Sequence, residues 1–230
     1  MKLLLFDIDG TILHTNGAGT RAVNRAFEKL LGHSDGMAGV DAAGKTDLLI
    51  LREMFMNKLA RDFTESEALE IFREYVAFLE EEVAAGEVYI MPGIPFLLEG
   101  LSLREDMLLG LATGNIEEGA WIKLRRAGLD AHFTFGGFGS DSENRELLVR
   151  AAIKRAGSHE RGAGGFDSIV VIGDTPFDII HGRAAGAVTV AVATGRYKSA
   201  ELKKHSPDFL FDDLTDYDGF IEILGCRIEE

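Results

Sequence analysis

Four short runs made almost wholly of apolar residues, Leu3–Phe6, Leu108–Ala112, Ile169–Ile172 and Val188–Ala193, narrow what this chain can fold into. Continuous apolarity of this kind belongs to strands covered on both faces, as in a parallel sheet, whereas a strand with one wet face would alternate. A weaker run spans Phe133–Phe138. Between the runs lie stretches with helical spacing, Ile94–Leu103, Glu117–Ala127, Arg145–Ala156 and Phe177–Ala185. The alternation predicts an α/β fold, a doubly wound parallel sheet with right-handed crossovers.

The first strand departs from this rhythm. From Thr15 to about Val88 no convincing strand appears, and amphipathic spacing predicts helices over Ala18–Leu31, Asp47–Leu59 and Glu65–Val83. The last opens at Thr64-Glu65-Ser66-Glu67, the pattern of a capping box. The edges of this region, Asn16-Gly17-Ala18-Gly19 and Gly86 through Pro92-Gly93, are rich in turn and hinge residues. A chain of 230 residues has room for one core plus a smaller inserted unit. The expected division is a core domain of residues 1–14 and 89–230 and an all-helical cap domain of residues 15–88.

Composition restricts the partners. Acidic residues outnumber basic ones 38 to 24, for a formal charge of -14, which argues against nucleic acid and anionic membranes. A small anionic substrate stays compatible, because screening makes the local lining of a cleft decisive. The single cysteine, Cys226, excludes an internal disulfide and points to a reducing, cytoplasmic setting. The apolar start Met1–Phe6 reaches Asp7 too soon for a signal peptide or a membrane span. Six histidines are scattered without the spacing of a zinc site, and Glu80-Glu81-Glu82 reads as a solvated helix face.

Ligands of open α/β sheets bind beyond the carboxyl ends of the strands, so the residues after each apolar run matter most. These are Asp7-Ile8-Asp9-Gly10-Thr11, Thr113-Gly114-Asn115, Gly173-Asp174-Thr175-Pro176-Phe177-Asp178 and Thr194-Gly195-Arg196. Alone, each would be an ordinary turn. Asp7 and Asp9, one residue apart at a strand end, repel unless a cation or shared proton relieves them. With Asp174 they form an oxygen-only set suited to Mg2+. Asp7 could then attack phosphorus as a carboxylate nucleophile, and Asp9 could serve the leaving group and water as acid and base. Thr113 and the amides of Gly114 and Asn115, beside the helix opening near Glu117, are candidate phosphate donors.

In order and in context, these segments resemble the haloacid dehalogenase-like (HAD) superfamily, in particular its phosphoglycolate-phosphatase-like members, over almost the whole chain. The resemblance implies Asp7 as nucleophile, Asp9 as general acid/base also offering its backbone carbonyl to Mg2+, Thr113 as phosphate ligand, Asp174 as metal ligand and Asp178 as metal-site support. The family's remaining motif, a Lys followed by Pro near a helix start, is absent. Ser140-Asp141-Ser142-Glu143-Asn144-Arg145-Glu146 stands there, and Arg145 is the positional choice over Arg150 and Lys154, which fall deeper in the helix. Within the insertion, Lys45 of Ala43-Gly44-Lys45-Thr46-Asp47 is a candidate substrate contact, while Thr46 or Asp47 would cap the helix that follows.

The expected activity is Mg2+-dependent hydrolysis of a small phosphorylated metabolite, with a cap that opens for substrate and closes to exclude water. The rivals are a phosphomutase of the beta-phosphoglucomutase type, a 2-haloacid dehalogenase and, from a different class, a non-enzymatic binding module.

Overall fold

The computed structural model describes residues 1–225, so Cys226 lies outside the described residues. Strand β1 (Lys2–Phe6) is central and pairs in parallel with β4 (Met107–Ala112) on one side and β6 (Ser168–Gly173) on the other. Beyond β4 lies the two-residue β5 (Gly136–Gly137), and beyond β6 lie β7 (Val188–Val192) and β8 (Phe209–Phe211). The order β5-β4-β1-β6-β7-β8 is parallel throughout.

The period of two in β1 sorts its side chains between two cores. Leu4 and Phe6 join Leu109, Leu111 and Ile172 beneath α4 (Ile94–Ser102), α5 (Glu117–Ala127) and α9 (Tyr217–Gly225), which contribute Leu98, Leu124 and Phe220. Leu3 and Leu5 point the other way, with Val171, onto Leu148 and Ala152 of α6 (Arg145–Ser158). Leu3 through Phe6 are fully buried, which accounts for their unbroken apolarity. Helix α7 (Pro176–Ala184) follows β6, and the short α8 (Ser199–Leu202) follows β7.

The chain runs outward from β1 first to one edge and then, from β6, to the other. That reversal opens a crevice above the carboxyl end of β1. Phe6 is level with Leu111 and Ile172, so Asp7, Thr113 and Asp174 leave three adjacent strands at nearly one height.

Between β2 (Leu13–His14) and β3 (Tyr89–Ile90), an antiparallel pair, sits the all-helical insertion of α1 (Ala18–Leu31), α2 (Asp47–Leu59) and α3 (Glu65–Ala85). Phe27, Phe55, Ile71, Tyr75 and Leu79 form its core, with Phe27 edge-on to Phe55 at 5.4 Å. Thr64 and Glu67 form the expected reciprocal capping box, and Thr46, rather than Asp47, caps α2. Ile116 and Ile122 join this cluster from the sheet domain, so the insertion packs directly against α5.

Differences from the sequence reading fall at the edges. The Phe133–Phe138 run yields only the two residues of β5, since Phe133, Phe135 and Phe138 serve as core packing. The β2–β3 pair and β8 are too short to leave a periodic signal.

Gly93 opens α4 with φ +85°, and a side chain there would overlap the Leu214 carbonyl. Gly93→Ala is therefore expected to cost at least about 2 kcal/mol, strain and overlap acting together. A urea midpoint within error of wild type would contradict this placement of the return from the insertion.

Candidate active site

Asp7 follows β1 directly, its amide donating to the Ile172 carbonyl at 2.9 Å. Its carboxylate is buried among Asp174, at the end of β6, and Asp178, in the first turn of α7. Ligand oxygens of the three approach within 4.8 Å of one another. Arg145, the first residue of α6 and itself buried, donates to Asp178, stands 3.8 Å from an Asp7 oxygen and donates to the Gly44 carbonyl at 3.3 Å.

The partners of Asp178 are largely local. One oxygen accepts from the Thr175 amide and hydroxyl at 3.0 and 2.7 Å in a capping box, and the other accepts from Arg145. Asp174 accepts from the Thr11 hydroxyl at 3.1 Å. Three carboxylates set against one guanidinium leave two negative charges in a low-dielectric pocket. Burial first, then the Asp178 charge, raises Asp7 from 3.8 to about 7, with Arg145 opposing. Burial, then Asp7 and Asp178, pushes Asp174 well above the usual carboxylate range. An oxygen-only donor set with a surplus of two charges fits a hard divalent cation, which Asp7 and Asp174 would hold with Asp178 behind them.

Asp9 is set apart from this cluster. Its side chain is 44% exposed, and both oxygens accept from Lys123 at 2.8 and 2.6 Å. Asn115 donates to Asp9 and to the Thr113 hydroxyl, at 2.8 Å each, and accepts from Lys123 at 2.6 Å. Desolvation raises the Asp9 pKa, but the charge and hydrogen bond of Lys123, aided by Asn115, hold it below the ordinary value. Thr113 is fully buried, its amide donating to Gly137.

The insertion closes onto this floor. The Asp47 amide donates to the Gly114 carbonyl at 2.8 Å, and an Asp47 oxygen accepts from the Ile116 amide at 2.8 Å. Any side chain at Gly114 would overlap the Lys45 carbonyl, so only glycine permits this approach. Burial raises Asp47 to about 6. Lys45 lines the cavity, with its ammonium held by both oxygens of Glu53 at 2.7 Å. The half-open cleft between insertion and floor has a volume of about 530 Å3 and touches Asp7, Asp9, Thr113, Gly114, Asn115, Arg145 and Asp174.

Thus Asp7, Asp174, Asp178 and Arg145 come together as one cluster, while Asp9, Thr113 and Asn115 form a second around Lys123. Sequence reasoning missed Lys123. Its signal was a lone cation in the buried stripe of α5, between Ala120 and Leu124. Asp47 was read only as a cap, and nothing local in the sequence says that it turns toward the sheet.

The site and sheet define a hydrolase core with a buried acidic centre at the switch point. The sequence profile of haloacid dehalogenase-like hydrolases matches residues 4–192, and the chain belongs to that family. A phosphoglycolate phosphatase of Rhodospirillum rubrum is 28% identical over 244 residues, covering 99% of this chain and 95% of its own. The pyrophosphatase PpaX of Bacillus pumilus is 26% identical over 233 residues, covering 98% and 97%. A crystal structure described as a predicted phosphoglycolate phosphatase from Haemophilus somnus superposes with TM-score 0.69 at 20% identity, over 97% of this chain and 98% of that one, and shares the fold.

Asp7 gives the fold a definite pH signature. With its pKa raised on folding, the native chain keeps a proton that the unfolded chain has released between pH 3.8 and about 7. Its contribution to stability therefore falls as pH rises through that window and levels off above it. Without divalent cations, the melting temperature relative to Asp7→Asn is expected to fall from pH 5 to pH 7.5, and millimolar Mg2+ should restore it more at pH 8 than at pH 5. A relative melting temperature that rises through the window would contradict the assignment.

Proposed function

We propose that this chain is a cytoplasmic, Mg2+-dependent phosphatase that hydrolyses a small phosphomonoester through an aspartyl-phosphate on Asp7. The observation that carries this reading is the buried triad of carboxylates set against a single arginine at the switch point. The names of the relatives, phosphatases and pyrophosphatases, support the same reaction class. The core of residues 1–14 and 89–230 supplies the chemistry, and the cap of residues 15–88 covers it.

A carboxylate oxygen of Asp7 attacks phosphorus, and the bond to the ester oxygen breaks. Asp9, which Lys123 keeps ionised in the free site, takes up a proton from the bound phosphomonoester monoanion and gives it to the departing alkoxide. It then takes one from the water that attacks the aspartyl-phosphate and passes it to the departing inorganic phosphate, so that Asp7 and Asp9 both return unchanged. Asp7 and Asp174 would hold Mg2+, which would supply Lewis-acid stabilisation of the charge on the transferring phosphoryl group. Arg145 aligns Asp7 and compensates Asp178. Thr113, with the amides of Gly114 and Asn115, faces the phosphate at the start of α5, where the helix dipole adds partial positive charge. Lys123 and Asn115 fix the carboxylate of Asp9.

A 2-haloacid dehalogenase reading gives no use to the two surplus negative charges, which is a reason to prefer phosphoryl transfer. The test is phosphate release from a panel of phosphomonoesters with Mg2+, beside Asp7→Asn. The variant is expected to lose at least about 10^3-fold in kcat while keeping its circular dichroism spectrum. EDTA should abolish wild-type release. Near-normal turnover by Asp7→Asn, or activity that survives EDTA, would overturn the proposal.

A further inference from the structure

The cavity has two unlike ends. At one lie Asp7, Asp174, Thr113 and Arg145. The other, supplied by the insertion, is walled by Val23, Met37, Ile50, Phe72 and Tyr75. Relatives named for phosphoglycolate or pyrophosphate act on substrates with a second anionic group, which would need a cation at this far end.

Every lysine and arginine lining the cavity is already matched by a carboxylate. Lys45 is held by Glu53, Lys123 by Asp9, Arg145 by Asp178, and Arg196 by both oxygens of Asp41 at 2.8 and 2.9 Å. Asp47 adds a further half-buried carboxylate whose hydrogen-bond donor is a backbone amide. Beyond the phosphate end the lining therefore holds no surplus positive charge. A second carboxylate or phosphate entering there must break the part-buried Lys45–Glu53 pair and strand Glu53, or stay desolvated without a partner, whereas the exposed Arg196–Asp41 pair opposes it only weakly. A neutral hydrocarbon group meets Val23, Ile50 and Phe72 without that penalty, and each methylene it buries favours binding by about fourfold.

We propose that this cavity selects phosphomonoesters of neutral, largely apolar alcohols and discriminates against esters with a second anionic group, with the Lys45–Glu53 pair as the gate. This rests on the phosphatase reading above, placing the phosphate at the Asp7 end. Specificity then comes from an attractive cation neutralised in advance, so a single uncharged replacement of Glu53 would unmask it.

The experiment measures kcat/KM with Mg2+ for propyl, hexyl and phenyl phosphate against phosphoglycolate and pyrophosphate, in wild type, Glu53→Gln and Asp41→Asn. The wild type is expected to favour hexyl phosphate over both competitors with a second anionic group by at least about tenfold and to improve from propyl to hexyl. Glu53→Gln, which frees Lys45, should shift the phosphoglycolate-to-hexyl ratio toward phosphoglycolate by about tenfold or more. Asp41→Asn, which frees only the exposed Arg196, should shift it the same way but by less. Preference of the wild type for phosphoglycolate or pyrophosphate, or an unmoved ratio in Glu53→Gln, overturns the inference while leaving the phosphatase reading intact. No release from any ester overturns both, so the two failures are distinct.

Discussion

Three buried carboxylates held by one guanidinium set the terms for the rest of this molecule. Asp7 comes from one segment and Asp174 and Asp178 from another far along the chain, and each would avoid the others in water. Their approach is tolerable because Arg145, fixed at the start of α6, lies between Asp178 and Asp7, and because two carboxyls can hold protons or share a cation. The remaining energy comes from the sheet. Strands β1, β4 and β6 are buried on both faces, and the apolar area they remove from water fixes the height at which Asp7, Thr113 and Asp174 emerge.

The second polar group works differently. Asp9 is half-exposed at the cavity wall, clamped by Lys123 and Asn115, and Asn115 also touches Thr113. One network therefore links the acid/base candidate to the phosphate-side hydroxyl. A short step away, the amide and carboxylate of Asp47 bind Gly114 and Ile116, so the insertion is docked on the loop that carries Thr113. Ordering of the cap loop and ordering of the proposed phosphate site are thus mechanically joined.

Much of this was legible because separate local signals agreed. Ala18–Leu31, Asp47–Leu59 and Glu117–Ala127 form with the bounds their periodicity and caps predicted, and the buried runs became the strands of the parallel sheet. Strand-end acids could be read because only a sheet's carboxyl rim gathers them. Lys123 and the Lys45–Glu53 pair were not legible in the same way, since their meaning depends on which helix face turns toward which neighbour. Arg145 is intermediate. Its position at a helix start was visible, but its contact with Asp178, 33 residues away, exists only in three dimensions.

The central claim is that Asp7 is the atom-bearing nucleophile of this carboxylate cluster. Its most direct test is acid quenching of the enzyme during turnover of a 32P-labelled phosphomonoester with Mg2+, followed by peptide mapping. The account predicts an acid-stable, base-labile label on the N-terminal peptide, and borohydride reduction of the acyl phosphate that releases the labelled phosphate and leaves homoserine at position 7. Rapid phosphate release with that peptide unlabelled, or a label on any other residue, would contradict it.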